Sequence, residues 1–291
     1  MKQTALISAI LLFAFHLALA NEKPILVSAD WLEQHKNDPD LVILQVNFLK
    51  LDYEQEHIAG ARFLWPGWLA PDSPEGSMNV PDPAKAADVL QSLGISNTSH
   101  VVLCHPKNEV SAAARMFLML EYLGLRGNVS FLNGGVEAWK QAGYPVTKEI
   151  PTYKPGKFKP KIQNLIVDKN FVVKNLESPS VTIVDARAKR FYDGDPTGYP
   201  RAGHIKGAVN IPFPELLDES NMFKSESALQ GYFNPVLPDK NKEAVVYCFI
   251  GQTASVVYMA GRMLGYNMKL YDGSLQEWTR IPELPMEKTQ N

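Results

Sequence analysis

Two residues of this sequence, Cys104 and Cys248, have the intrinsic nucleophilicity needed for covalent chemistry. Cys248 ends the apolar run 244–248 and precedes a short loop, 249–252, after which a helical pattern begins at about Thr253. A sulfur atom at such a place faces backbone N–H groups and the positive end of a helix, and both favour the thiolate over the thiol. The position therefore predicts a nucleophilic cysteine. A buried cysteine that only completes an apolar strand is the alternative interpretation.

The residues after Cys248 fit a tight loop that leads into a helix. Gly251 suits the positive φ or the close backbone approach that such a loop needs. Thr253 is predicted to cap the following helix and to add a hydroxyl donor. In an open α/β sheet, ligands bind beyond the carboxyl ends of the strands, and Cys248 is expected to lie there.

Short apolar strands alternate with helical patterns along the chain. Strands are predicted at 41–46, 101–104, 130–132, 181–184, 244–248 and 269–271. Helices are predicted at 110–123 and 253–264, each followed by a glycine, Gly124 or Gly265. This alternation predicts mainly parallel sheets with helices on both faces, which is an α/β fold.

The sequence contains an internal duplication. The pattern His-Ile-x-Gly-Ala occurs at 57–61 and again at 204–208, and Gly-Gly or Gly-Ser followed by a tryptophan four residues later recurs near 134 and 273. The order of these landmarks is kept in both halves. We therefore expect two domains, at 24–150 and 166–285, joined by an extended linker rich in proline and lysine at 151–165.

The pattern Cys-x-x-Gly-x-Thr after an apolar strand resembles the active loop of the rhodaneses, a family of sulfurtransferases. The resemblance extends to Asp-x-Arg at 185–187, Gly-His-Ile-x-Gly-Ala at 203–208 and Asp-Gly-Ser-x-x-x-Trp at 272–278. It covers nearly all of the chain after residue 20, in the tandem arrangement typical of thiosulfate and mercaptopyruvate sulfurtransferases. It implies two rhodanese-like domains, of which the second is catalytic and the first shapes the cleft.

The resemblance implies a two-step reaction. The thiolate of Cys248 would take a sulfur atom from a donor such as thiosulfate or 3-mercaptopyruvate, and a thiol or cyanide would then remove it from the resulting persulfide. Neither a metal nor an organic cofactor is implied. Backbone N–H groups of the active loop would stabilise the anionic sulfur. The residues of that loop are Phe249, Ile250, Gly251, Gln252, Thr253 and Ala254.

The active loop departs from that of thiosulfate-specific relatives, which carry cationic side chains in it. Here Phe249, Ile250 and Gln252 stand instead, so the affinity for small anionic donors is expected to be modest. Arg187 and Arg190 are candidates to compensate by binding the donor. A structural ion pair is the alternative for Arg187, and Arg190 is offset by one residue from the arginine spacing of the family.

Two further residues are expected to support the site. Asp185 opens the Asp-x-Arg stretch and is a carboxylate with which the neighbouring arginine can pair. His204 is expected to hold the turn before Gly207 through hydrogen bonds rather than to act in catalysis. Neither residue is assigned a chemical step.

The first half of the chain lacks the catalytic pattern. After Cys104 come residues 105–109, which contain no glycine, and the Asp-x-Arg stretch is replaced by Gln45 and Asn47. Cys104 is therefore interpreted as structural. Its alignment with the nucleophile position or with the preceding residue is open, and so is a disulfide with Cys248.

Two alternative functions compete with sulfur transfer. Cysteine phosphatases that share this fold need an arginine six residues after the nucleophile, where this chain has Ala254, and this argues against phosphatase activity. A persulfide carrier or a protein-binding module without catalysis is the other alternative. In that case, the apolar loop would contact a protein sulfur acceptor.

Composition and the first residues predict the location of the protein. The chain has 291 residues, 45% of them hydrophobic, and a net charge of −2, which gives no basic field for nucleic acid. Residues 1–20 combine Lys2, an apolar stretch and Ala-Leu-Ala, which is typical of a cleaved signal peptide. This signal predicts export, to the periplasm of a bacterium, without stable membrane insertion after cleavage; an uncleaved anchor is the alternative.

Overall fold

A computed structural model describes residues 22–289 of the chain. The predicted signal peptide, residues 1–20, lies outside the described residues. Within 22–289, none of the helices has the length and apolar character that a membrane crossing requires.

The first half of the chain forms a five-stranded parallel sheet in the order β1-β6-β5-β2-β4. Its strands are β1 (Leu26–Val27), β2 (Leu41–Val46), β4 (Arg62–Leu64), β5 (His100–Cys104) and β6 (Val129–Leu132). The helices are α1 (Ala29–His35), α2 (Lys50–Gln55), α3 (Pro83–Ser92), α4 (Val110–Leu120) and α5 (Gly135–Gln141), with a 3-10 turn at Pro66–Trp68. A separate antiparallel pair consists of β3 (His57–Ile58) and β7 (Val146–Thr147).

The second half repeats this arrangement element by element, with a parallel sheet in the order β11-β9-β12-β13-β8. Its strands are β8 (Ile166–Val167), β9 (Val181–Asp185), β11 (Val209–Asn210), β12 (Glu243–Tyr247) and β13 (Asn267–Tyr271). The helices are α6 (Lys169–Asn175), α7 (Lys189–Asp193), α8 (Glu226–Phe233), α9 (Ala254–Met263) and α10 (Ser274–Trp278), with a 3-10 turn at Phe213–Leu216. The antiparallel pair is β10 (His204–Ile205) with β14 (Met286–Glu287).

Each sheet is covered on both faces, as continuous apolar strands require. All six residues of β2 are buried. One face of each sheet packs into a common core that spans both domains, and α4 contacts α9 within it. The other face of each sheet has its own apolar cluster. The predicted fold class, two tandem α/β domains, is confirmed.

The structure differs from the predicted elements by one or two residues at several ends, and two of these differences concern the site. The helix predicted at 110–123 is α4 followed by a π-helical turn, Glu121–Leu125, which contains Gly124 at φ 115°. Strand β12 ends at Tyr247, so Cys248 is the first residue beyond the strand. Residues 151–165, predicted as the linker, contain no helix or strand.

Candidate active site

Cys248 lies at the carboxyl end of β12, inside a loop that directs a backbone donor at its sulfur. The N–H of Gly251 donates to Cys248 Sγ at 3.2 Å. Gly251 has φ +80°, which permits the chain to turn back over the sulfur at little steric cost. The carbonyls of Cys248 and Phe249 accept hydrogen bonds from the N–H groups of Leu275 and Gln276, at 3.1 and 2.9 Å. The loop thus offers a positive dipole to the sulfur.

Ser274, at the start of α10, fixes the backbone of the nucleophile. Its Oγ accepts a hydrogen bond from the N–H of Cys248 at 3.3 Å and donates one to the carbonyl of Tyr271 at 3.0 Å. Ser274 is fully buried and has φ 48°, which is uncommon for a residue other than glycine. Such strain is typical of positions that the surrounding structure holds for a function.

The side chain of Cys248 borders a cavity of about 340 Å³. The residue is only 1% exposed, yet it is among the residues that line the cavity. Three aromatic side chains form one wall of this cavity. The residues that line it are Phe191, Thr197, Tyr199, Cys248, Phe249, Ile250, Gln252 and Thr253.

The Asp-x-Arg stretch forms a buried ion pair behind the aromatic wall. Arg187 Nη2 lies 2.6 Å from Asp185 Oδ2 and donates to the carbonyl of Gly203 at 2.7 Å. Burial lowers the pKa of Arg187, but its hydrogen bonds and charge interaction with Asp185 outweigh burial and raise the pKa overall. The guanidinium also lies 5.0 Å from the centre of the Phe249 ring. Arg187 therefore supports the loop through its contact with Phe249.

Comparison with known proteins shows the family to which the chain belongs. The family model of the rhodanese-like domain matches residues 28–142 and 169–281. The chain belongs to the rhodanese family.

The relatives of this rhodanese transfer or carry sulfur. It is 32% identical to the sulfur carrier protein TtuD of Thermus thermophilus over 91% of this chain and 96% of the relative. It is also 32% identical to the thiosulfate sulfurtransferase of Rattus norvegicus, over 88% of this chain and 92% of the relative. The structure of the 3-mercaptopyruvate sulfurtransferase SseA of Escherichia coli superposes with a TM-score of 0.76 at 27% identity, covering 87% of this chain and 99% of that chain. Sulfur transfer is therefore the activity of this protein.

Four of the six expected loop residues of this rhodanese line the cavity, and Gly251 and Ala254 are not among its lining residues. Ala254 begins α9 and is fully buried. Thr253 occupies the N-cap position of α9, but its side chain makes no capping hydrogen bond, so the predicted cap is wrong. The backbone of Thr253 is already helical, at φ −70° and ψ −26°, whereas a capping side chain usually requires an extended residue. Its side chain instead borders the cavity.

Arg190 and His204 lie away from the cavity. Arg190 is exposed, and its guanidinium stacks 4.5 Å from the centre of the Phe191 ring. His204 is buried, with Nδ1 2.7 Å from the carbonyl oxygen of Tyr192 and Nε2 3.4 Å from a carboxylate oxygen of Glu287. These contacts hold β10 between α7 and β14.

The strand register identifies the degenerate site of the first domain. Gln45 in β2 pairs with Cys104, whereas Asp185 in β9 pairs with Tyr247. Because Gln45 replaces Asp185, Cys104 corresponds to Tyr247, and His105 takes the place of Cys248. Cys104 therefore aligns with the residue before the nucleophile, not with the nucleophile itself.

Neither His105 nor Cys104 has the surroundings of a nucleophile. Both residues are fully buried, and both cysteines of the chain are free thiols. Burial raises the pKa of Cys104, whose thiol donates to the carbonyl of Leu44 at 3.6 Å. Burial lowers the pKa of His105 to about 4, against a hydrogen bond with the Pro106 carbonyl that raises it.

Two residues of the first domain contact the catalytic loop and were not predicted. Ser111 Oγ accepts a hydrogen bond from Gln252 Nε2 at 3.0 Å. Arg115 is fully buried, pairs with Asp272 through Nη2, and places Nη1 3.3 Å from where a Cβ on Gly251 would lie. The signal for Arg115 was available, since it is the only charged residue among ten buried ones in a largely apolar helix.

Proposed function

We propose that this rhodanese moves a sulfane sulfur atom from a small donor to a thiophilic acceptor through a persulfide on Cys248. The observation that supports this most directly is the hydrogen bond from the Gly251 N–H to the sulfur, in a loop that borders a cavity. Donors of this kind stabilise an anionic sulfur before the transfer, as thiolate, and after it, as persulfide.

The proposed reaction has two half-steps with thiosulfate as the donor. The Cys248 thiolate attacks the outer sulfur, the sulfur–sulfur bond of thiosulfate breaks, and sulfite leaves with the electron pair of that bond. A thiol or cyanide then attacks the outer sulfur of the persulfide and releases the thiolate. Atoms and electrons balance without a further oxidant or reductant, and ping-pong kinetics follow. The names of the relatives support thiosulfate and 3-mercaptopyruvate as donors.

The test compares the wild-type protein with Cys248→Ser. The wild type is expected to release sulfite from thiosulfate in the presence of cyanide, and the peptide that carries Cys248 is expected to gain one sulfur atom by mass spectrometry. Cys248→Ser is expected to do neither. Equal sulfite release by Cys248→Ser would overturn the proposal, because the sulfur would then travel by another route.

A second candidate is a dedicated sulfur carrier that delivers its persulfide to a protein. The similarity to TtuD, a sulfur carrier protein, favours it, as does the apolar side of the cavity, formed by Phe249 and Ile250. A carrier would load Cys248 at a normal rate but release sulfur to cyanide slowly. Single-turnover measurement of loading and release distinguishes the two functions.

We also propose export to the periplasm of a bacterium, supported by the signal pattern at 1–20. An exported thiolate must escape oxidation, and the near-complete burial of Cys248 favours this. N-terminal sequencing of the protein recovered from the periplasmic fraction is expected to begin at Asn21. Recovery of the full chain from the cytoplasm would contradict this.

A further inference from the structure

One side of the active-site cavity is formed by a segment that contains neither helix nor strand. This wall segment, residues 194–203, connects α7 to β10 and contributes Thr197 and Tyr199 to the cavity lining. Among the described residues, 196–202 take part in no hydrogen bond between backbone groups. The backbone of the segment therefore does not fix its conformation, and side chains must supply the restraint.

Arg201 attaches the wall segment to the end of α10 through five hydrogen bonds. The last carbonyls of a helix have no partner within the helix, and a basic side chain can satisfy them. Because the planar guanidinium carries five N–H donors in a fixed geometry, arginine fits such a group of acceptors better than lysine does. Nη2 donates to the carbonyls of Trp278 and Ile281 at 2.7 Å each, Nη1 to those of Leu284 at 2.6 Å and Pro282 at 3.4 Å, and Nε to that of Thr279 at 3.2 Å.

Two residues before Arg201, the ring of Tyr199 stacks on the first side chain of the catalytic loop. It lies parallel to the ring of Phe249, with centres 5.2 Å apart and planes at 7°. Phe191 meets the Phe249 ring edge-on, at 5.4 Å and 73°. One stacked ring is a weak restraint compared with the conformational entropy that the whole segment loses when it is ordered. The hydrogen bonds of Arg201 are therefore the main restraint on the position of Tyr199.

Helix α10 supports both sides of the cavity. At its first residue, Ser274 Oγ accepts a hydrogen bond from the N–H of Cys248, and the next N–H, of Leu275, donates to the Cys248 carbonyl. At its other end, the helix and the turn after it accept the five hydrogen bonds of Arg201. A helix of five residues is only about 7.5 Å long. The nucleophile and the wall segment are thus fixed to one short, rigid element.

We infer that Arg201 is a positioning residue for sulfur transfer, because it holds the wall segment with Tyr199 against the catalytic loop and so preserves the cavity in which the donor binds. This inference rests on the proposed function of Cys248. Arg201 is not among the residues that line the cavity, so it acts through the segment rather than by contact with the donor.

Loss of Arg201 is expected to affect donor binding more than the reaction at the sulfur atom. A donor that binds to a loose wall must order the side chains of Thr197 and Tyr199, and this entropic cost lowers its affinity. The hydrogen bond from the Gly251 N–H to the sulfur does not depend on Arg201, so the reactivity of bound donor is expected to stay the same.

The first experiment measures persulfide loading of Cys248 as a function of thiosulfate concentration. Arg201→Gln is expected to raise the half-saturating concentration by about tenfold and to keep the maximal rate within about twofold of the wild type. Arg201→Lys keeps the charge and part of the hydrogen bonding, so its increase is expected to be about threefold.

A purely structural role would instead reduce the fraction of active protein, and so lower the maximal rate at an unchanged half-saturating concentration. That result, or wild-type values in Arg201→Gln and Arg201→Lys, would overturn the inference and leave the proposed function standing. Failure of the wild type to load would overturn both. Urea unfolding shows whether each variant is folded under the assay conditions, and if Arg201→Gln does not fold, Arg201→Lys decides the outcome.

The second experiment asks whether Arg201 acts through Tyr199. Tyr199→Ala removes the stacked ring and is also expected to raise the half-saturating concentration. Adding Arg201→Gln to Tyr199→Ala is then expected to change it by less than about twofold further, since the two residues act in series. Multiplication of the two single effects would contradict this route. Arg262→Gln is the matched control, because its ion pair with Glu121 lies outside the wall segment, and it is expected to keep the wild-type half-saturating concentration.

Discussion

At the scale of single residues, the two cysteines of the chain show how position decides reactivity. Cys104 is the last residue of β5, where its side chain is enclosed by the apolar cluster of the first sheet. Cys248 is one residue beyond the end of β12, where the backbone is free to turn and aim an N–H at the sulfur. A shift of one residue along equivalent strands thus separates a core side chain from a nucleophile.

Cys104→Ser is expected to retain sulfur transfer within about twofold of the wild type. The change places a hydroxyl in an apolar cluster, so the free energy of unfolding is expected to fall by about 1–3 kcal/mol. Turnover with thiosulfate and cyanide, together with urea unfolding, checks both values. Abolished turnover in a protein that still folds would show that Cys104 takes part in the reaction.

Ser274 carries the second prediction at this scale. Ser274→Ala and Ser274→Gly both remove the oxygen that accepts from the Cys248 N–H, so both are expected to slow persulfide loading by about tenfold. Glycine adopts the positive φ of this position without strain, so Ser274→Gly is expected to unfold at higher urea than Ser274→Ala. Loading rates and unfolding midpoints of the two variants separate the hydroxyl from the backbone. If both variants load at the wild-type rate, the Ser274 hydroxyl does not contribute to persulfide loading.

At the scale of elements, helix α4 links the first domain to the catalytic loop. Ser111 and Arg115 are four residues apart and therefore lie on one face of the helix. Ser111 accepts from Gln252, and Arg115 lies against Gly251, so consecutive loop residues rest on this face. Within the described residues, Nε and Nη1 of Arg115 have no hydrogen-bond partner, which leaves their partial charges directed at their surroundings.

Arg115→Met is expected to slow persulfide loading of Cys248 by about tenfold, since it removes a buried positive charge behind the loop and leaves Asp272 without its partner. The rate of persulfide loading with thiosulfate measures this. Arg262→Met is the matched control, because Arg262 forms a comparable ion pair between the domains, with Glu121. Equal loading rates in the two variants would show that Arg115 has only a structural role.

The sequence predicted those parts of the fold and site that depend on local pattern. Strand β2 was predicted with its observed bounds because five of its six residues are apolar, and Cys248 stood out because a glycine and a threonine follow it at the family spacing. A single charged residue in an apolar helix marks Arg115 as unusual, but its contact with the loop depends on the packing of one domain against the other, which no local pattern encodes. The capping prediction for Thr253 was wrong because the loop enters α9 already in helical geometry.

At the scale of the whole molecule, the first domain supports chemistry that it no longer performs. Glu121, in the turn after α4, accepts from Tyr258 at 2.6 Å and pairs with Arg262 at 3.0 Å, which ties it to α9 directly behind the catalytic loop. The N–H of Val80 donates to Asp272 at 3.1 Å at the other side of the loop. Loss of fold in the first domain is therefore expected to remove activity from the second.

The stability of that first domain is expected to depend on pH through two buried histidines. Burial lowers the pKa of His100 and of His105 to about 4 each, whereas an unfolded histidine titrates near 6.5. Between these values the unfolded chain binds protons that the folded chain does not. The contribution of the two histidines to the free energy of unfolding is therefore fully present above about pH 6.5. It is lost as the pH drops toward 4, by up to about 1.4 kcal/mol per pH unit for each histidine.

His105→Phe tests this dependence, because it removes one titrating group and keeps an apolar ring beside Phe131, whose ring centre is 5.2 Å away. The urea midpoint of wild type and variant is measured between pH 7 and 4.5, and the variant is expected to show a shallower decline. His35→Gln, at a half-buried position on α1, is the control and is expected to follow the wild type. Activity is expected to fall together with the midpoint, since the catalytic loop rests on Ser111 and Arg115. A variant with the full wild-type slope would show that other groups govern acid unfolding.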